Sequence, residues 1–239
     1  MTKTLAILAV AAAFPAAAAV AALPHGSEPA NLDPADFTTR IDNPYWPMRP
    51  GSRRVYRETD AEGGRSRVVV TVTHRTKLIA NGVRARVVHD VATEDGKLVE
   101  VTDDWYAQDR AGRIWYLGED TTAYENGKPH STAGSFEAGV DGAQAGVVMP
   151  ARPRVGMRYR QEYYKGHAED RARVLSLRQK AEAPFGFFRR TLMTAETSPL
   201  EPRVLEYKFY ARGVGPVLAV DVSGGTDRED LVRYRRGGK

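Results

Sequence analysis

Carboxylates beside tryptophans are the residues of this chain best placed to do chemistry. The stretch Asp103-Asp104-Trp105-Tyr106-Ala107-Gln108-Asp109 is followed by Trp115 and then by Glu119-Asp120. Side chains alternate along an extended strand, so Val99, Val101, Asp103, Trp105 and Ala107 share one face. With that face inward, Asp103 is a buried acid beside an indole and needs a partner. Arginines between residues 152 and 190 are candidates for that role. The same alternation puts Trp115, Leu117 and Glu119 together on the next strand. Two tryptophans and two acids on neighbouring strands describe a pocket with apolar walls and few polar groups. The competing reading makes Trp105 and Trp115 a cross-strand aromatic pair and leaves the acids solvated.

The candidate ligand-binding set is Trp46, Asp103, Trp105, Trp115, Glu119 and Tyr163. Tyr163 belongs to a dense polar and aromatic cluster, Gln161 to Asp170, which otherwise reads as an exposed turn. A carboxylate-based hydrolase would draw on Asp103, Asp104, Glu119 and Glu162, but no residue is assigned as catalytic.

Other chemistries find less support. With no cysteine there is neither a disulfide framework nor a thiolate metal site. The histidines (His25, His74, His89, His130 and His167) show no metal-ligand spacing. The acids at 103–109 and 119–120 suit a hard cation best, yet they lack EF-hand spacing, and Asp beside Gly is ordinary turn chemistry. The G-x-S-x-G elbow is missing: Gly134-Ser135-Phe136-Glu137 has the wrong spacing. No cofactor and no metal is therefore expected.

The elements that must position these side chains are strands. Short runs rich in Val, Thr, Tyr and Phe alternate with turn dipeptides such as Asn81-Gly82, Asp95-Gly96, Asn126-Gly127 and Lys165-Gly166. Residues 168–180 fit a strand better than a short helix. Some ten to twelve strands exceed one flat sheet, and such sheets curl or close. The expected fold is all-β and mostly antiparallel: a curved meander forming a half-barrel, barrel or sandwich, with at most one or two short helices. The expected organisation is an irregular Pro-rich segment at 23–52 and one β domain at 53–239. Within the first, Asn43-Pro44-Tyr45-Trp46-Pro47 should dock its rings on the domain as a lid or plug. Residues 131–156 hold five glycines and two prolines, which predicts a long loop acting as a lid or binding loop.

The N-terminus predicts export. Lys3 precedes an apolar run from Leu5 to Ala22 that contains Pro15 and ends in small residues. That order is a signal peptide over residues 1–22, with Ala19-Val20-Ala21 the preferred cleavage motif. No cysteine stands at the cleavage site to take a lipid, so a free periplasmic or extracellular protein is expected. No other apolar run approaches spanning length, so stable membrane insertion is not expected.

The formal charge is +5, but its distribution is uneven. Residues 90–145 carry twelve acids and four bases, and residues 150–190 carry eleven bases and four acids. Facing or solvated strands account for this pattern. Nucleic acid is not expected as a partner for an exported chain.

Three segments resemble those of a family of exported bacterial β proteins common in high-GC genomes. They are Asn43–Pro47, Asp104–Asp109 and Tyr210-Ala211-Arg212-Gly213-Val214-Gly215-Pro216-Val217. The aromatic-Ala-x-Gly-Val-Gly turn is also similar, more remotely, to one in half-barrel lipoprotein and lipid carriers. The resemblance implies export and a curved sheet and brings no activity with it. The leading expectation is an exported soluble binding protein holding a lipid or other apolar or amphipathic small molecule in its curved sheet. A secreted carboxylate hydrolase and an envelope-assembly module that docks an envelope protein are the alternatives. Oligomeric state is left open.

Overall fold

The computed structural model describes residues 22–60 and 63–238. The signal-peptide reading of the N-terminal run lies almost wholly outside the described residues. The rest is all-β: sixteen antiparallel strands in one nearly closed, barrel-like sheet. Its long strands are β2 (Arg53–Thr59), β3 (Arg65–Leu78), β4 (Arg84–Glu94), β5 (Lys97–Asp109) and β6 (Ile114–Glu125). The second half supplies β12 (Arg171–Ala183), β13 (Gly186–Thr197), β14 (Leu205–Ala211), β15 (Gly215–Ser223) and β16 (Arg228–Arg235). Each pairs with its chain neighbour within its half, and β16 pairs back onto β2 to join the halves. Turn chemistry sets the hairpins. Asp95-Gly96 and Asn126-Gly127 both take positive φ at both positions, the twist that matches flanking strands. Residues 171–183 form a strand, as their pattern predicts.

Closure runs through one short segment. Here β10 (Arg158–Arg160) lies on β12, and β11 (Glu162–Tyr163) lies on β9 (Gln144–Met149) at the opposite edge. The chain switches partner at Gln161, so residues 158–163 hold both edges of the sheet. Gly146 permits the crossing: a Cβ there would stand 2.2 Å from the Gln161 carbonyl. Arg160 locks the seam by donating to the carbonyl of Ala145 at 2.9 Å and that of Glu28 at 2.7 Å.

The glycine-rich stretch 131–156 is wall rather than lid. Within it β8 (Phe136–Glu137) and β9 both pair with β6, and Ala145 to Met149 are buried or nearly so. Its glycines mark turns and close approaches, which composition alone reads as a loop. The N-terminal segment does two jobs. Leu23, Ala30, Leu32 and Phe37 pack on the outer face against a core with Trp105, Trp115 and Leu117; Phe37 belongs to the short β1 (Phe37–Thr38). Then Ile41, Tyr45, Trp46 and Met48 enter one end of the barrel and join Tyr106, Tyr116, Leu192 and Tyr210. Asn43 bolts this plug in place through the carbonyls of Gly112 and Pro150. Gly213 N–H adds a bond to the Pro44 carbonyl at 2.8 Å.

Candidate functional site

Alternation along β5 places Asp104 and Tyr106 inside the barrel and Asp103 and Trp105 outside. The following strand would continue that pattern were it not for Gly118. Its φ of 126° belongs to a bulge: Asp104 and Tyr106, two apart on β5, oppose Glu119 and Tyr116, three apart on β6. The extra residue moves Glu119 from the face of Trp115 to the face of Tyr116. Only glycine fits, because a Cβ at 118 would fall 2.1 Å from the Phe136 carbonyl oxygen.

The bulge brings two acids to one phenol. Tyr116 Oη stands 2.7 Å from Asp104 Oδ1 and 2.7 Å from Glu119 Oε2. A phenol has one proton to donate, so the second contact requires a protonated carboxyl that donates to Oη. Electrostatics agree. Burial, reinforced by Glu119, pushes the Asp104 carboxyl up to about 7 against the hydrogen bonds of Tyr116 and Tyr106. Burial also raises Glu119. Nearby, burial with the charges of Asp170, Glu119 and Asp104 pushes Glu162 up to about 9.

Around this group the barrel is hollow. Its open end is a cavity of about 810 Å³ whose lining includes ten carboxylates and two bases, Lys208 and Arg228. Toward the plug lies a smaller cavity of about 190 Å³, lined by Trp46, Met48, Tyr56, Val68, Val70, Val72, Val88 and Tyr106. Arg54, Asp90, Asp104 and Glu229 complete its wall, and Glu229 lines both cavities. Burial and the neighbouring Glu58 push Glu229 up to about 8. Burial and the charges of Asp104 and Glu229 push Asp90 well above the usual carboxylate range, against Arg54. Asp90 Oδ1 is shut off from solvent and has no hydrogen-bond partner among the described residues.

The opposite wall solves the same problem with a cation. Glu196 accepts from Lys208 Nζ at 3.1 Å, Thr194 Oγ1 at 2.8 Å, Tyr210 Oη at 3.1 Å and Gln161 Nε2 at 3.2 Å. Burial raises its carboxyl, but Lys208 and these donors outweigh burial and hold it below the usual range. Lys208 also reaches Glu206 at 3.0 Å.

Of the residues singled out from sequence, the structure brings Trp46 and Glu119 to this interior. Trp46 forms its floor, 5.7 Å from the Tyr106 ring and 5.6 Å from that of Tyr210. The other four lie elsewhere. Asp103 faces outward, held by both guanidinium nitrogens of Arg75 at 2.7–2.8 Å and by His89 at 2.7 Å. Trp105 packs on the outer face under the Lys77 ammonium, 3.7 Å from its ring. Trp115 donates to Asp109 at 2.9 Å and meets Phe37 edge-on, beside an outer groove of about 340 Å³. Tyr163 lies under Arg160, while its neighbour Glu162 carries the buried carboxyl. The pocket expected from Trp105, Trp115 and Asp103 is therefore an outer core, sealed by the N-terminal segment. Asp90, Tyr106, Tyr116, Glu196, Lys208 and Glu229 complete the interior and lie outside the set that strand alternation marks. One signal for them exists in Glu206-Tyr-Lys208-Phe-Tyr210, where alternate positions are all polar and alternate with aromatics.

Among the described residues no group of three or more His, Cys, Asp or Glu side chains has the geometry to hold a metal ion. No helix among them is long and apolar enough to cross a membrane. No protein-family model matches the chain, and no curated protein or solved structure does either.

Proposed function

We propose that the chain is a binding protein that takes an amphipathic small molecule into its barrel, outside the cytoplasm. The observation that carries this reading is the two-part interior. A wide polar cavity and a small chamber with valine and aromatic walls lie side by side and share Glu229. A ligand with an apolar body and a polar group suits that pairing, because burial of the body removes apolar surface from water. The chamber is preformed, since the plug that floors it is bonded to three separate parts of the barrel. Native mass spectrometry after exposure to a lipid extract tests the reading, which expects a retained mass lost in Trp46→Ala. A clean unliganded mass under all loading conditions defeats it. The export component predicts an N-terminus near Ala22 on protein recovered from the periplasm.

A second reading has one observation in its favour. Asp104 and Glu119 meet at the Tyr116 hydroxyl with raised carboxyls, an arrangement suited to general acid–base work. It expects turnover of some chromogenic ester or glycoside, falling at least about a hundredfold in Asp104→Asn. Absence of turnover across such panels removes it.

A further inference from the structure

The plug end of the barrel carries an outer surface that the interior does not explain. There the β12–β13 hairpin turns at Pro184-Phe185, and Phe185 and Phe187 stand 40% and 52% exposed. The tip is held in place. Phe185 stacks on Phe188 and meets Tyr234 of β16 edge-on, each at 6.4 Å between ring centres. Its N–H donates to the Leu231 carbonyl at 2.9 Å. Ser52 accepts from Gly237 N–H at 2.9 Å, which sets the end of β16 beside the plug segment.

Bases surround these rings. Gln179 pairs with Thr191 and Ala181 with Phe188, so Lys180 opposes both Arg189 and Arg190 in a bulge. Arg189 lies over the Phe187 ring at 5.8 Å. On β16, Arg233 and Arg235 flank Tyr234, and Arg236 follows. All six bases are exposed, and none forms an ion pair among the described residues. Residues 178–190 contain one acid, Glu182, and residues 232–238 contain none, so the positive charge is not offset locally. The opposite end of the barrel has the opposite sign. Strand β2 runs from Arg53, paired with Arg235, to Thr59 on the rim of the polar cavity, and β13 runs from the hairpin to Thr197 on the same rim. The exposed acids Asp60, Glu94, Glu201 and Asp227 line that rim. A charge difference along one axis orients a molecule in the field of a charged surface.

Single exposed apolar side chains need no explanation, but two phenylalanines among six unoffset cations do. The cavities described above are lined by other residues, so none of them receives a partner's side chain here. A surface that is anionic outside and hydrocarbon beneath takes up rings without a matching pocket and attracts the bases around them. We infer that the plug end of the barrel docks on an anionic lipid bilayer. Phe185 and Phe187 enter the headgroup region, the bases meet lipid phosphates, and the polar cavity is turned away. This docking surface goes beyond the ligand reading and stands without it.

Flotation of the purified chain with vesicles tests the docking. One set is phosphatidylcholine alone, and the other contains about one-third phosphatidylglycerol. Association with the anionic vesicles should be at least tenfold tighter at about 50 mM salt and should fall at least tenfold at about 500 mM, where the charges are screened. Phe185→Ser/Phe187→Ser and Lys180→Gln/Arg189→Gln/Arg190→Gln should each lose at least tenfold at low salt. Leu200→Ser, which removes a 43% exposed apolar side chain beside Glu201 at the acidic end, should change nothing. Equal association with both kinds of vesicle, or none with either, overturns the inference on the parent chain alone, whatever the stability of the variants. Unchanged association of both hairpin variants overturns it as well. A dimer in analytical ultracentrifugation that the phenylalanine variant dissolves, with no vesicle binding, gives the patch to a second copy of this chain instead. Native mass spectrometry decides the ligand reading separately, so either can fail without the other.

Discussion

The two walls of the barrel interior bury similar numbers of acids and settle their charge by different means. On the β13–β14 wall, Glu196 is ionised because Lys208 and three further donors meet it. On the β4–β6 wall, Asp90, Asp104 and Glu119 have a phenol and each other, and protons take the place of the cation. A buried charge with a partner is tolerated, and a buried acid without one stays neutral. The first wall holds its buried acid ionised with a cation, and the second holds its acids neutral with protons.

The largest expected effect is on the pH dependence of stability. Glu162 reaches about 9, Glu229 about 8 and Asp104 about 7 in the folded chain, each above its unfolded value near 4. Between the two values the folded chain holds a proton that the unfolded chain has released. Stability therefore falls as pH rises from about 5 to about 9, by an amount on the order of several kcal/mol. Urea unfolding at pH 5, 7 and 9 measures it. Glu162→Gln removes one of these penalties and should stabilise the chain most at pH 9. A stability maximum at pH 9 would contradict the protonated wall.

Next comes the cation. Lys208→Met leaves Glu196 buried and Glu206 without its partner. The expected cost is about 2–3 kcal/mol at pH 7, below that of a fully buried pair because the lysine side chain keeps 28% of its exposure. The deficit should shrink at acid pH, where Glu196 takes a proton. An unchanged unfolding midpoint would show that the two walls do not differ in this way.

Gly118→Ala tests the bulge that assembles the second wall. Its Cβ meets the Phe136 carbonyl and its φ is unfavourable for alanine, so a loss of about 1–3 kcal/mol is expected. Proton exchange at the Tyr116 hydroxyl, followed by NMR, should quicken as Glu119 leaves its place.

The smallest effects separate two adjacent aspartates. Asp103→Asn loses an outer ion pair with Arg75 and should cost up to about 1 kcal/mol. Burial raises the Asp103 carboxyl, but Arg75 and His89 hold it below its usual range. Its stabilisation is thus present above the unfolded value and lost as pH falls through the folded one. Asp104→Asn replaces a largely neutral acid by a neutral amide. It should change stability by less than about 1 kcal/mol at pH 6 and turn stabilising at pH 9. Thermal melts of the two variants should therefore move in opposite directions at pH 9.

The sequence by itself determined the class of fold and many of its turns. Strand-length runs between Asp-Gly and Asn-Gly dipeptides admit little besides a meander, because both signals are local and act within a few residues. It also marked Trp46 as a docked ring and grouped Asp103, Asp104, Glu119 and Glu162, of which Asp103 lies on the outer face with Arg75 and His89. Only the tertiary structure decided which side of the sheet is the inside. Both faces of β4, β5 and β6 are buried near the plug, one by the barrel interior and one by the N-terminal wrap, so hydrophobicity does not alternate there and cannot label a face. The Gly118 bulge then shifts the register by one residue, which is enough to carry Glu119 from one face to the other. Closure through Gln161 and the pairing of residues 136–149 with β6 join segments far apart in the chain. Such contacts have no local signature, and they create both the chamber and its unpartnered acid.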